Sequence, residues 1–324
     1  MISFITTFKP FKGLDRIHQI NALKSWSKFA KGAEIIVVGE SDGFENVLNE
    51  YNFTVRWITK VRTSYSGAPY LDDMLKRGLE EAKNNYICII NGDIIILSDF
   101  TTTIDNLIKK HIRFMLTSRR MELMIDNVLD FDNPELETYL KYSARKNYKY
   151  HLDKRLLPID LFVFNRDFLS DVRIPPFVYG RGIFVRWFIY NAHCKRVPAI
   201  DATPVLTAIH QTHSYNHITD FHVQDVIRKS GNTYKGIMSG KEFIWNVKVA
   251  GPSAYFSEGD FTHVLTEKGL IKLSTPHFIL RRFLKDPLLP PYDKFTMPLI
   301  KYLLPSKTFR SFTKKLLKKY NLFY

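Results

Sequence analysis

Through residues 1–98, unbroken apolar runs alternate with segments whose apolar side chains recur at helical spacing. The runs ISFITTF (2–8), EIIVVG (34–39) and YICII (86–90) are short and rich in β-branched residues, as strands buried on both faces of a parallel sheet are. Between the first two, Pro10 and Gly13 break the chain. Asp15 then opens a helix to about Phe29, with Ile17, Ile20, Leu23 and Trp26 among its apolar positions and Gly32 beyond its end. A short helix to Tyr51 and a third strand near 54–59 follow, then a polar loop holding Arg62, Gly67 and Pro69. Tyr70, Leu71, Met74, Leu75, Gly78, Leu79 and Ala82 next fall on one face at helical spacing. Strand–helix alternation this regular predicts βαβ units, hence an α/β fold with a mostly parallel central sheet, right-handed crossovers and flanking helices.

The second half is less regular. Residues 113–118 read as a strand followed by Arg119 and Arg120, 134–146 as a helix, and PIDLFVFN (158–165) as a strand with Asp160 at its head. Pro175, Pro176 and the Gly180-Arg181-Gly182 turn frame a loop before an aromatic helix over 183–193, and short strands are expected over 197–201 and 207–210. From about Gly269 prolines at 276, 287, 290, 291, 298 and 305 separate short apolar-basic pieces, so the chain divides into a domain over 1–268 and an extension over 269–324.

Charge sharpens that division. The formal charge is +15, and from Ile271 onward twelve Lys/Arg face two acids, Asp286 and Asp293, leaving the body nearly balanced. Residues 306–320 read as an amphipathic helix, with Phe309, Phe312, Leu316 and Tyr320 on one face and Arg310, Lys314, Lys315, Lys318 and Lys319 on the others. That pattern suits an anionic membrane surface. It suits equally a helix packed on the domain with its lysines in water. No recognition motif accompanies the charge, so nucleic acid is not expected as a partner. A composition of 45% hydrophobic residues supports a substantial core. Cys88 and Cys194 give no disulfide framework and are read as core thiols of a reducing compartment. The start lacks a signal-peptide pattern and no run of 18 apolar residues occurs, so the expected location is cytoplasmic, peripheral at the membrane.

Polar residues collect just after the early strands: Thr6 and Thr7, Glu40 and Asp42, then Asn91 and Asp93. In a parallel sheet these positions share one edge, where open α/β sheets bind ligands. Asp93 sits between YICII and IIIL, and an ionised carboxylate among so many aliphatic side chains calls for a cation. The same residues also fit a strand ending in an ordinary Asn-Gly turn with Asp93 capping the next element. No G-x-G-x-x-G follows the first strand and no P-loop is present.

In their order and spacing, ISFITTFKPF, NALKSW, EIIVVGE, the GAP at 67–69, NGDII, DLFVF, PPFVYGRG and IDATPVLTAIHQTH resemble the GT-A glycosyltransferases, in particular a family-2-like bacterial and viral group, over residues 2–217. The resemblance implies a GT-A-like, Rossmann-related fold, a nucleotide-sugar donor, a divalent metal (Mn2+ or Mg2+) and transfer to a hydroxyl of a glycan or lipid-linked acceptor. Carried over residue by residue, it makes Asp93 the metal ligand of a degenerate Asp-x-Asp triplet, with Asn91 as a neutral contact. It makes Glu40 or Asp42 the acid near base or ribose, sets Thr6 and Thr7 along the nucleobase, and gives Gly67 and Arg62 to the donor, with Arg62 near a phosphate. His210 completes the metal shell. Arg181 holds the diphosphate or closes its loop. Where the relatives carry Trp-Asp-Asn-Trp after the glycine-arginine turn, this chain has Phe184-Val185-Arg186-Trp187, so Asp160 is the substitute candidate for the general base, unless the mechanism is retaining or activity has been lost. Asp201 is expected to hold loop structure. A separate zinc site at His210, His213 and His217 is an alternative use of that cluster. The rival functions are a non-catalytic glycan- or nucleotide-binding protein and a sugar-1-phosphate nucleotidyltransferase, the latter poorly matched by KPFKG.

Overall fold

The computed structural model describes residues 1–109, 113–146, 158–212, 240–251 and 261–273, with positions 148, 225, 229 and 253. Residues 1–98 fold as β1 (Ile2–Thr6), α1 (Gly13–Phe29), β2 (Glu34–Val38), α2 (Phe44–Tyr51), β3 (Arg56–Ile58), α3 (Leu71–Glu81), β4 (Tyr86–Ile90) and β5 (Ile94–Ile96). Next come α4 (Ser98–Ile108), β6 (Met115–Leu123), α5 (Leu136–Lys146), β7 (Ile159–Asn165) and α6 (Arg166–Ser170). The described remainder holds α7 (Phe184–Cys194), β8 (Ala199–Asp201), β9 (Ala208–Gln211), α8 (Lys241–Ala250), β10 (His263–Thr266) and β11 (Gly269–Lys272).

The main sheet runs β3-β2-β1-β4-β7-β6-β8-β10-β11. Its β1, β2, β3 and β4 are mutually parallel, as expected from the βαβ pattern, and β7 enters antiparallel between β4 and β6. Strand alternation sends Phe4, Val37, Cys88 and Val163 into one core with Ile20, Leu23 and Trp26 of α1 and Phe100 and Ile104 of α4. On the other face α3 lies so close to β1 that a Cβ on Gly78 would stand 2.7 Å from the Ile5 side chain. There too, Phe162 and Phe164 stack among Phe184 and Phe188 of α7.

Three features differ from the sequence reading. The Tyr86 stretch is two strands, because the chain leaves the main sheet at Asn91 and Ile94–Ile96 pairs with β9 in a small second layer. β6 continues past residue 118: a bulge at Ser118/Arg119 bends it from the main sheet into that second layer, where Arg120–Leu123 pairs with β9. Helix α1 buries polar side chains as well as its apolar stripe: Ser25 accepts from the Ile96 N–H of β5, Gln19 pairs with the Lys9 backbone, His18 meets the Ile125 carbonyl and Asn21 donates to Gln211.

Cys88 is buried in β4, but Cys194 is exposed at the end of α7, so it is not a core thiol. Asp201 does hold structure: it is buried against Arg119 at 3.2 Å and accepts the Thr203 N–H and hydroxyl. No helix of the described residues is long and apolar enough to cross a membrane. The first compact unit is Met1–Lys272, because β11 pairs with β10. The expected extension beyond residue 273, with its amphipathic helix over 306–320, and His213 and His217 lie outside the described residues.

Candidate active site

The carboxyl ends of β1, β2 and β4 open into a cleft of about 1610 Å³. Its floor is the turn Asn91-Gly92-Asp93, which the chain makes on leaving β4. Gly92 is required there: a Cβ would stand 2.5 Å from the Phe8 ring and 3.0 Å from the Thr7 carbonyl. The turn is tied down from below. Gln211 donates from Nε2 to the Asp93 carbonyl (3.0 Å) and to the His18 carbonyl (2.8 Å), and its Oε1 accepts from Asn21 (2.9 Å).

His210 is a strand residue, paired in register with Ile94 on one side and Glu122 on the other. Its ring is buried, with Nδ1 2.6 Å from Glu122 and Nε2 3.5 Å from Asp93 Oδ2. Burial alone would lower its pKa, but hydrogen bonds to the two carboxylates win and push it up to about 9. Because β6 bends at its bulge, Arg120 reaches the cleft, and Glu122, two residues on, meets the His210 ring. Arg120 joins Glu122 (2.8 Å) to Asp160 (2.6 Å), and Asp160 in turn accepts from Asn91 Nδ2 (2.8 Å). The Tyr179 hydroxyl closes the chain by donating to Asn91 Oδ1 (2.6 Å). Burial, with Asp160 and Asp93 nearby, holds that phenol well above its usual range, so it is a neutral donor.

The opposite lip is made by two loops clamped to α8. Glu242 accepts the hydroxyls of Ser64 (2.5 Å) and Ser66 (2.7 Å) on one oxygen and Arg181 Nε (2.7 Å) on the other. The buried Asn246 side chain pairs with the backbone of Val178 and Gly182. These contacts hold Ile183 at φ +69°, a region costly for a β-branched residue.

Of the residues expected from sequence, Thr7, Glu40, Arg62, Gly67, Asn91, Asp93, Asp160, Arg181 and His210 all line this cleft. Thr6 and Asp42 do not. Thr6 is fully buried and donates to the Ile90 carbonyl, which leaves Thr7 as the residue at the cleft, and Asp42 pairs with Lys12 at the surface. Arg62 is engaged with Asp72 and lies over the Tyr70 ring. Gly67 sits at φ +82°, as the turn of its loop demands. Asp160 has both carboxylate oxygens occupied, and Val185 is a buried apolar part of the wall. Sequence reasoning missed Arg120, Glu122, Tyr179, Gln211 and Glu242. Tyr179 lies within PPFVYGRG and Gln211 within IDATPVLTAIHQTH, and Arg120 follows the strand expected over 113–118, but none had a spacing that would single it out.

The donor set fits a cation on two protein groups. Asp93 Oδ2 and His210 Nε2 stand 3.5 Å apart. Neighbouring donors on an octahedral ion with bonds of about 2.1 Å stand about 3.0 Å apart, so the pair would close by about half an ångström to share one. Glu122 on Nδ1 orients the imidazole as a carboxylate behind a metal-bound histidine does. No cluster of three His, Cys, Asp or Glu suited to a metal occurs among the described residues, so the remaining positions would fall to water and ligand oxygens.

No family model matches the chain, and no curated protein matches it. Solved structures similar to it include Staphylococcus aureus TarS 1–349 in complex with UDP-GlcNAc (12% identity, 77% of this chain and 70% of that one, TM-score 0.41). Glucosyl-3-phosphoglycerate synthase from Mycobacterium tuberculosis, in complex with Mg2+ and UDP, is 14% identical over 74% of this chain and 78% of its own (TM-score 0.41). Mannosyltransferase PcManGT from Pyrobaculum calidifontis, in complex with GDP-Man and Mn2+, is 12% identical over 78% and 73% (TM-score 0.43). At these scores the likeness carries no functional weight. What the cleft does must follow from its own side chains.

Proposed function

We propose that the chain transfers a sugar from a nucleotide-sugar donor to a hydroxyl of a glycan or lipid-linked acceptor, with Mg2+ or Mn2+ held at Asp93 and His210. The observation that carries this reading is the 3.5 Å Asp93–His210 contact on the floor of a cleft at the carboxyl ends of parallel strands. A hard dication there neutralises the charge that develops on a departing diphosphate. Thr7 and Glu40 face the nucleoside at the ends of β1 and β2. Arg62, Arg120 and Arg181 supply cationic walls for the phosphates. Tyr179 fixes which way the Asn91 amide is turned, so Asn91 presents to the cleft a side chain already oriented.

Asp160 is the acid on the cleft wall that would take the acceptor's hydroxyl proton as its oxygen attacks the anomeric carbon and the bond to the diphosphate breaks. It must first exchange Arg120, and an arriving diphosphate supplies the competing anion. A second reading, binding of a nucleotide or glycan without turnover, is favoured by one observation: both Asp160 oxygens are occupied while the wall position of Val185 carries no carboxylate.

Calorimetric titration of UDP and GDP with and without Mn2+, followed by release of nucleoside diphosphate from matching donors, tests both. Cation-dependent binding with turnover, both lost in Asp93→Ala, supports transfer. Tight binding without turnover selects the second reading, and failure to bind either nucleotide discards transfer from these donors and leaves only glycan binding.

A further inference from the structure

Helix α8 has two faces of opposite use. Glu242, Phe243, Asn246 and Ala250 are buried, and the first three hold or line the cleft lip. Its outer face carries Lys241, Ile244, Trp245, Val247 and Lys248, all exposed, with Ile244 58% and Trp245 39% accessible. The helix's one acid, Glu242, is turned inward against Arg181, so the outer face is apolar and cationic throughout.

We propose that this face docks on an anionic lipid surface and so sets the cleft mouth beside it. Two aliphatic side chains and an indole between two lysines match the interfacial pattern, apolar atoms entering the acyl boundary and ammonium groups staying at headgroup level. The indole is prepared for that environment: its N–H already donates to the Pro176 carbonyl (2.8 Å), so entering an apolar phase strands no donor. The body of the chain carries only about a third of the formal charge of +15, so Lys241 and Lys248 are what favour the approach. A soluble glycan would gain from the indole but has no use for Ile244 and Val247. The inference deepens the transfer reading, and rests on it only for the consequence that a lipid-linked acceptor reaches the cleft from the surface that holds α8.

The test is co-sedimentation of the full chain with phosphatidylcholine vesicles, with and without phosphatidylglycerol, alongside nucleoside diphosphate titration. Wild type is expected to pellet with the anionic vesicles only. Lys241→Glu/Lys248→Glu should weaken that partition about thirtyfold or more, since each lysine near an anionic surface is worth about fivefold. Ile244→Ser/Val247→Ser, which leaves the Trp245 hydrogen bond in place, should weaken it about tenfold. Both variants should bind nucleotide as wild type does, which shows that the fold survived and keeps this outcome separate from the fate of the transfer reading. Partition unchanged in both variants, equal binding to neutral vesicles, or saturation of the face by a soluble oligosaccharide in place of vesicles would overturn the proposal.

Discussion

Replacing Gly92 by alanine tests whether the cleft floor is built to sub-ångström tolerance. The new Cβ would stand 2.5 Å from Phe8 Cδ1, where ordinary contact begins near 3.4 Å, so ring or turn must move by about 1 Å. The ring is poorly placed to give way, because Phe8 is buried against Phe11, Trp26 and Phe44 with centroids 5.3, 6.2 and 5.3 Å away. The Thr7 carbonyl at 3.0 Å blocks a second direction. The turn therefore shifts and carries Asn91 and Asp93 with it, against a His210 fixed by strand pairing on both sides. Overpacking of this kind costs about 1–3 kcal/mol of stability, while about 1 Å of misplacement costs about a hundredfold in a positioned site. Urea unfolding and nucleotide titration with Mn2+ read the two effects separately. The control is Gly78→Ala, whose Cβ meets Ile5 at 2.7 Å on another part of the sheet. It should destabilise to the same degree and leave nucleotide affinity within about twofold of wild type. Wild-type affinity in Gly92→Ala, or an equal loss in Gly78→Ala, would refute the reasoning.

Asp201→Ala leaves Arg119 buried without its carboxylate and should cost about 3–5 kcal/mol in urea unfolding, while nucleotide affinity per folded molecule stays unchanged. Asn246→Ala strands buried backbone groups of the 178–182 loop, with about 2–4 kcal/mol lost and weaker nucleotide binding through the released lip. For Glu242, burial raises the pKa, but the Ser64 and Ser66 hydroxyls and Arg181 outweigh it and hold the carboxyl below 4.5. Its folded value being the lower, its stabilising contribution is complete above the unfolded value and is lost as the pH falls through the folded one. The stability gap between wild type and Glu242→Gln, measured by urea midpoints, should therefore narrow on acidification below the ordinary carboxylate range and stay flat above it. Chelation with EDTA should remove nucleotide binding in wild type, and Mn2+ should restore it there but not in Asp93→Ala.

The first half of the fold was legible because its strands are buried on both faces and its helices carry one apolar stripe, so periodicity alone separates them. Asp93 stood out for a related reason: a carboxylate among so many aliphatic residues calls for a cationic partner, though the same residues also read as an ordinary turn, and in the structure it meets the His210 ring. The second layer was not. Nothing in Ile94-Ile95-Ile96 distinguishes a strand that continues from one that turns into another sheet, and the bulge at Ser118/Arg119 leaves no mark in a run such as TSRRM. Yet that bulge is what brings Arg120 to the cleft and Glu122 to His210. The polar face of α1 was equally opaque, since nothing in the sequence marks Asn21 and His18 as buried, and only the loop over residues 125–129 covers them.

The charges around the cleft bear on how an anion enters it. Lys12, Arg62 and Arg77 are paired with Asp42, Asp72 and Asp73 in contacts that remain well exposed on the basic side. Such pairs are worth about 0–1 kcal/mol each, so a diphosphate exchanges them at little cost. The pairs Arg120–Asp160 and Arg181–Glu242 are different: all four side chains are 17% exposed or less, and breaking them strands carboxylates in poorly hydrated surroundings. A ligand with only moderate charge would leave them closed. On the transfer reading proposed above, a ligand that brings a diphosphate together with a cation would offer Arg120 an equivalent partner and free one Asp160 oxygen, so that occupation of the phosphate site and release of the base would be the same event.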